Sequence, residues 1–432
     1  MYQGDELYNE VFSFVQKLEI IDTHEHLPGF EKRRNPDADV LSEYLGDYIG
    51  TDLQSAGLPE KDFIRACDTS IPIMERYRLL EPYWEACRFT GYGRGVDETV
   101  RLVYGEDGIN AATIERINDK FKASFAAGGQ YRKVLKDISK IKVSILDCFD
   151  AEPGCDPDYF VRVYRFDPMI YLCQLTTIRQ MEEETGFTIH SFDAYLEAVE
   201  AIFDKVYKNG TRVLKSALAY FRPLRYERAL KCDAERAFNQ IFEIRHLHKL
   251  KDFGFTVGMD FQNYMMHYVL SLADKYRMTY QFHTGFQASG ANHVGNSNPA
   301  LMTNFFTDYP NVHFDLFHIS YPYQKEAGII AKMFPNVTVD MCWAHIVSPA
   351  ESVQTLCNWL DLIPYNKISG FGGDFCNIDC VAGHQYMARQ NIARALSKKV
   401  GDGSFNLGTA QRIARAILYD NPKRIFQLDG LD

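Results

Sequence analysis

His24 and His26 stand one residue apart in the stretch Ile20-Ile21-Asp22-Thr23-His24-Glu25-His26-Leu27, where an apolar run ends. In an extended strand alternate side chains share a face, so both imidazoles point the same way. Two imidazoles side by side at a strand end can grip one divalent metal, and the strand holds their backbone in place before the ion arrives. Further along, Lys215 lies within the run 211–218, His283 closes 278–283, His318 follows 312–317, and Asp374 follows 367–371 in Phe371-Gly372-Gly373-Asp374. Each has an ordinary reading on its own: a core histidine bonded to a carbonyl, a lysine paired with a carboxylate, an aspartate shaping a turn. Taken together, these residues at the ends of apolar runs read as one metal site.

The elements that must position them alternate in type. Strand-like runs fall at 20–27, 142–147, 169–173, 211–218, 278–283, 312–317, 337–341 and 367–371. Helical periodicity lies between the later ones, as at 192–208, where Phe192, Tyr195, Leu196, Val199 and Ile202 share a face. Further helices are expected over 226–253, 262–276, 385–398 and 409–419. Asn298-Pro299 opens one more, with proline at the first helical position. Ser348-Pro349-Ala350-Glu351 has the pattern of a capping box. Eight strands alternating with helices predict a (β/α)8 TIM barrel. A doubly wound open sheet is disfavoured, because no Gly-x-Gly-x-x-Gly and no phosphate loop follows the first strand. The whole chain, 1–432, reads as one metal-dependent barrel. Residues 30–140 are charged, tyrosine-rich and helical in period, and form a helical insertion able to roof one end. Barrel active sites lie at the C-terminal ends of the strands, which is where the candidate ligands fall.

Bulk properties narrow the partners. The chain has 432 residues, is 46% hydrophobic and 24% charged, and carries a net charge of -10, as expected of a soluble α/β protein. An acidic balance disfavours nucleic acid and anionic membranes and leaves a small-molecule substrate. The 10 cysteines are scattered, without a Cys-x-x-Cys pair, which suggests reduced thiols and a cytoplasmic location. The N-terminal stretch is polar and acidic, unlike a signal peptide, and no apolar run approaches a membrane span. Exposed barrel helices leave room for a homo-oligomer.

The pattern resembles the amidohydrolase superfamily of metal-dependent barrel hydrolases, over most of the barrel from His24 to Asp374. The resemblance implies that His24, His26, His283, His318 and Asp374 surround the metal, and that Lys215, if carboxylated, bridges two ions. The long insertion after the first strand looks like the uronate isomerase branch. The runs Phe282-His283-Thr284-Gly285 and Phe371-Gly372-Gly373-Asp374 look like the amidohydrolase-2 group, which includes decarboxylases and lactone hydrolases as well as amidases.

Imidazole and carboxylate ligands suit zinc, as one ion or two, and also Mn²⁺, Fe²⁺ or Ni²⁺. The expected reaction is hydrolysis of a small amide, lactone or ester by metal-activated water. Asp374 moves the proton, and His318 ligates a second ion or stabilises the oxyanion. A uronate-isomerase-like sugar-acid isomerase, a metal-dependent decarboxylase and a non-catalytic binding barrel are the alternatives. Trp343 and His345, after the seventh strand, and Arg222, after the fourth with Arg225 nearby, are candidate substrate contacts. The amides Gln287, Asn292, Asn296 and Asn298 crowd the segment after His283 and suit a polar substrate.

Overall fold

The computed structural model describes residues 6–149, 154–245 and 256–430. Eight short parallel strands run in sequence order: β1 (Ile20–Glu25), β2 (Ile141–Leu146), β3 (Phe160–Arg162), β4 (Val213–Ser216), β5 (Thr279–Phe282), β6 (His313–Leu316), β7 (Val337–Asp340) and β8 (Ile368–Ser369). They form two arcs, β1-β2-β3 and β4-β5-β6-β7-β8. Backbone hydrogen bonds join the arcs at both seams. At one, Tyr164 bridges Leu214: its amide donates to the Val213 carbonyl (3.1 Å) and its carbonyl accepts from the Lys215 amide (3.0 Å). At the other, the Thr23 amide donates to Phe371 (3.1 Å) and the Asp374 amide to the His24 carbonyl (2.8 Å). The second seam has a direct consequence for chemistry, because closing the barrel is the same act that brings Asp374 to His24. The ring is the expected (β/α)8 barrel, and parallel strands buried on both faces account for their short, almost wholly buried runs.

The C-terminal segment packs Ile425, Phe426 and Leu428 against Ile21, Val143, Ile145, Val163 and Val213, a cluster separate from the main core. Between β1 and β2 lie six α-helices, from Val40–Leu45 to Ile114–Ala127, followed by a π-helical turn at Arg132–Ile138. Asp39 and Ser42 form a reciprocal capping box at the start of the first, and a buried Arg76–Asp39 ion pair ties that start to the helix Ile73–Cys87. The helix Gly91–Tyr104 lies close against Ile378–Gly401. A Cβ on Gly383 would sit 2.1 Å from the Gly95 carbonyl oxygen, so the two backbones approach too closely for a side chain.

Three sequence expectations are corrected. Residues 169–173 are not the third strand. Asp167-Pro168 opens a helical turn, Asp167–Ile170, whose buried Met169 and Ile170 face the core rather than a sheet, and β3 lies earlier. The capping box at Ser348 does not form, although proline does stand at the first position of Pro349–Leu362. Instead Glu351 accepts a hydrogen bond from Gln324 (2.7 Å), a partner from a neighbouring helix. The segment opened by Asn298-Pro299 begins as a 3-10 turn, Pro299–Met302, before the helix Thr303–Asp308. The helix expected over 226–253 begins only at Lys231, residues 226–230 being non-helical, and is described to Arg245; residues 246–253 lie outside the described residues. Among the described residues no helix is long and apolar enough to cross a membrane.

Candidate active site

β1 delivers His24 and His26 side by side, with ring centroids 4.8 Å apart. His26 Nδ1 lies 2.8 Å from the Asp147 carbonyl and must donate to it, which leaves Nε2 free to face Asp374 Oδ1 at 3.2 Å. His24 is fully buried, and neither of its ring nitrogens has a hydrogen-bond partner. Its Nε2 lies 3.6 Å from Asp147 Oδ2 and 3.7 Å from Asp374 Oδ1. Burial, then the neighbouring Lys215, push this imidazole well below its ordinary pKa, so it is neutral.

β5 and β6 deliver a second pair. His283 Nε2 is 2.8 Å from the Phe286 carbonyl and His318 Nδ1 is 3.1 Å from the Cys342 carbonyl. A carbonyl only accepts, so each of those nitrogens carries a proton. The remaining two nitrogens, His283 Nδ1 and His318 Nε2, face each other at 3.0 Å. Burial lowers both imidazoles, His318 to about 4, so two lone pairs meet with no proton between them. His318 Nε2 is also 3.9 Å from Asp374 Oδ2.

Asp374 therefore sits among three imidazoles. Burial works against its charge, yet contact with His26, and then the nearby rings of His318, His26 and His24, hold its carboxyl well below the usual carboxylate range. Its φ is +62°, as is uncommon for a side-chain-bearing residue, and Trp343 (+61°) and the consecutive His318, Ile319 and Ser320 (+61°, +48°, +52°) share that region. For the β-branched Ile319 this is costly backbone, and such strain gathers where the surrounding structure imposes a position.

The donors fit a divalent cation. An orphaned buried imidazole, a carboxylate held ionised and two opposed lone pairs all lack the same thing, a positive charge at their centre. Ligand atoms of His24, His26 and Asp147 lie within 4.8 Å of one another, as do those of His318, Cys342 and Asp374.

These residues open on a cavity of about 490 Å³ lined by His26, Lys215, His283 and Asp374, with Arg165, Asp47, Tyr48 and Tyr220 around them. Lys215 is buried, with its ammonium 3.4 Å from the centre of the Phe317 ring. It forms no ion pair with a carboxylate among the described residues, and burial lowers it to about 8. Arg165 donates through Nε (2.7 Å) and Nη2 to Asp147 Oδ2. Tyr48, from the helical segment between β1 and β2, donates to the Asp374 carbonyl, so that segment reaches the floor of the site.

The structure thus brings His24, His26, Lys215, His283, His318 and Asp374 together and leaves three expected substrate contacts elsewhere. Arg222 is buried and outside the cavity, with its donors engaged by Gln262 (2.9 Å), Asn263 (2.8 Å) and the carbonyls of Pro223 and Arg225. His345 is fully buried, its Nε2 on the Gly370 carbonyl (2.9 Å) and its backbone carbonyl on Asn391 (3.1 Å). Trp343 is a wall behind the site rather than a lining residue, packed on Tyr48 (4.6 Å), Phe286 (5.1 Å) and His318 (5.3 Å). Of the amides after His283, only Asn292 lines the cavity. Gln287 bonds the Ala219 carbonyl and Asn298 caps the turn at Ala300. Asp147, Arg165 and Cys342 were not anticipated. Asp147 could have been, since it follows directly on β2 and the strand-end rule that found His283 applies to it equally.

Residues 242–428, just under half of the chain, match the amidohydrolase family model. Over 152 residues, 34% of this chain, the sequence is 31% identical to Protein fluG of Emericella nidulans. That stretch spans only 17% of the fungal protein. The fold is similar to the uronate isomerase of Thermotoga maritima (TM-score 0.77, 16% identity), covering 99% of this chain and 100% of that one. It is similar also to the glucuronate isomerase of Caulobacter crescentus (TM-score 0.73, 17% identity, 99% and 95% of the two chains). A Lactobacillus casei protein provisionally named a metal-dependent hydrolase follows the same course (TM-score 0.67, 18% identity, 98% of each chain).

Proposed function

We propose that this chain, whose resemblance to the amidohydrolase superfamily holds in sequence over 242–428 and in fold over nearly its whole length, is a metal-dependent hydrolase of a small amide, lactone or ester. The observation that carries this reading is Asp374, kept ionised within 3.2–3.9 Å of three imidazoles at the floor of a closed-walled cavity. His24, His26 and Asp374 would hold the ion, with Asp147, His283 and His318 as the further donors. Zinc is the ion we favour for such an N/O set, and the His283–His318 pair offers a place for a second. When bound, the metal polarises a carbonyl and acidifies water near neutral pH.

The chain's own residues do the rest. Asp374 takes one proton from the attacking water and passes it to the departing nitrogen or oxygen, so the products are a carboxylic acid and an amine or alcohol. His318, anchored through Nδ1, presents its unprotonated Nε2, which would hold a second ion. Lys215 and Arg165 set a positive floor for an anionic substrate group, and Tyr48 with Trp343 behind it keeps that floor from bulk water. None of the ten cysteines is joined in a disulfide, which supports a cytoplasmic setting.

A uronate-isomerase-like reaction is the second reading, favoured by a fold match that includes the helical segment between β1 and β2. Isotopes separate the two. Metal-loaded protein is incubated with N-acyl amino acids, lactones and uronates in H2¹⁸O and in D2O. Solvent ¹⁸O in a newly formed carboxylate supports hydrolysis. Solvent deuterium on carbon without ¹⁸O uptake establishes isomerisation instead, and release of CO2 establishes a decarboxylase.

A further inference from the structure

The cavity has a polar floor and an apolar mouth. Phe149, on the loop after β2, and Phe221, just after β4, both line it and are 64% and 65% exposed. Most other exposed large hydrophobics, such as Ile64, Phe89, Phe187 and Met333, lie away from it. Scattered single apolar residues are ordinary, whereas two phenyl rings at one concave site are not.

Both rings are braced from behind. Phe149 stacks on His26 with centroids 4.4 Å apart and planes 20° apart, and Arg165 lies 5.2 Å from its centre. Phe221 stacks on Tyr171 at 5.3 Å and 23°. Each ring is thereby held in one orientation with an open face, and a held aromatic surface loses little freedom when a ligand covers it. Deeper in the cavity stands Lys215, a buried cation with no carboxylate partner among the described residues.

We infer that the substrate is amphiphilic: an aryl or similarly flat apolar group seated on Phe149 and Phe221, joined to a carboxylate directed at Lys215. N-aroyl amino acids have this shape. A fully hydroxylated sugar acid leaves both phenyl faces without an apolar partner. The inference rests on the hydrolase reading for the bond that breaks, but the recognition it describes is independent of turnover.

The test therefore measures binding of ligands with no scissile bond. The 432-residue chain, loaded with Zn²⁺, is titrated calorimetrically with 4-phenylbutanoate, butanoate and glucuronate. The phenyl compound is expected to bind about tenfold or more tightly than either of the others. Phe221→Ala is expected to weaken 4-phenylbutanoate about fivefold and butanoate less than twofold, with Phe221→Tyr restoring most of the difference. Circular dichroism and thermal melting check that both variants fold. Glucuronate binding as tightly as 4-phenylbutanoate, or Phe221→Ala weakening both carboxylates alike, overturns the inference. Phenyl preference without ¹⁸O uptake in the isotope experiment leaves the recognition standing and removes the hydrolase reading.

Discussion

Glu25 occupies the place where Gly373 would carry a side chain: a Cβ there would lie 1.7 Å from Glu25 Oε1. The same carboxyl accepts from the Phe375 amide (2.8 Å), and Asp22 accepts from the Gly373 amide (3.0 Å). The residue between the two site histidines thus braces the turn that carries Asp374. Burial pushes both acids up, and Glu25 is raised further by Asp22 beside it.

Gly373→Ala should therefore act on Asp374 without touching its chemistry. The added carbon displaces either the Glu25 carboxyl or the turn. Misplacement of about 1 Å at a reacting group costs on the order of 100-fold in kcat, and overpacking costs about 1–3 kcal/mol of stability. Turnover and chemical denaturation, measured together, should show both losses.

Asp374→Asn keeps the shape and removes the proton acceptor. Turnover should fall by about 10²–10⁴, and metal content by elemental analysis should fall with it, since the carboxylate is also a proposed ligand. Full turnover in this variant would exclude Asp374 as the group that moves the proton.

Chelation should lower the melting temperature as well as abolish activity. His24 is buried with both nitrogens unpartnered, so an ion that satisfies it binds the native state alone and stabilises it by mass action. Adding back Zn²⁺ or Mn²⁺ should restore the transition, and His24→Ala should blunt the response.

Arg222 gives the opposite signature. Its donors bond Gln262, Asn263 and two carbonyls away from the cavity, and its guanidinium stacks 3.8 Å from the centre of the Tyr226 ring. Arg222→Ala leaves buried acceptors unpaired and should destabilise by about 2–4 kcal/mol, while KM for any substrate changes less than twofold.

His345 sets part of the acid sensitivity. Burial holds it at about 4, against an ordinary 6.5. Below about pH 6.5 the unfolded chain takes up a proton that the native state refuses until about pH 4. Stability is therefore fully present above 6.5 and declines as pH falls through that window, by on the order of 3 kcal/mol for this group. Urea denaturation at pH 7.5, 5.5 and 4.5 should show the decline, and His345→Gln should flatten it.

The amino-acid sequence alone determined the alternation of strands and helices, and with it the barrel and the positions of His24, His26, Lys215, His283, His318 and Asp374. These were legible because strand periodicity is local and because a parallel barrel collects strand ends at one mouth. What surrounds each side chain was decided only by tertiary structure. Arg222 and His345 stand near strand ends too, but the partners that hold them away from the cavity, Gln262, Asn263, Gly370 and Asn391, are tens of residues away. No pattern within either segment shows that their hydrogen bonds are already taken. Met169 and Ile170 are as apolar as any strand residue, but they follow Asp167-Pro168 in a helical turn and are buried in the core rather than in a sheet. The phenyl rings of Phe149 and Phe221 are ordinary letters in the sequence; being held open over one cavity is a property that closing the barrel confers.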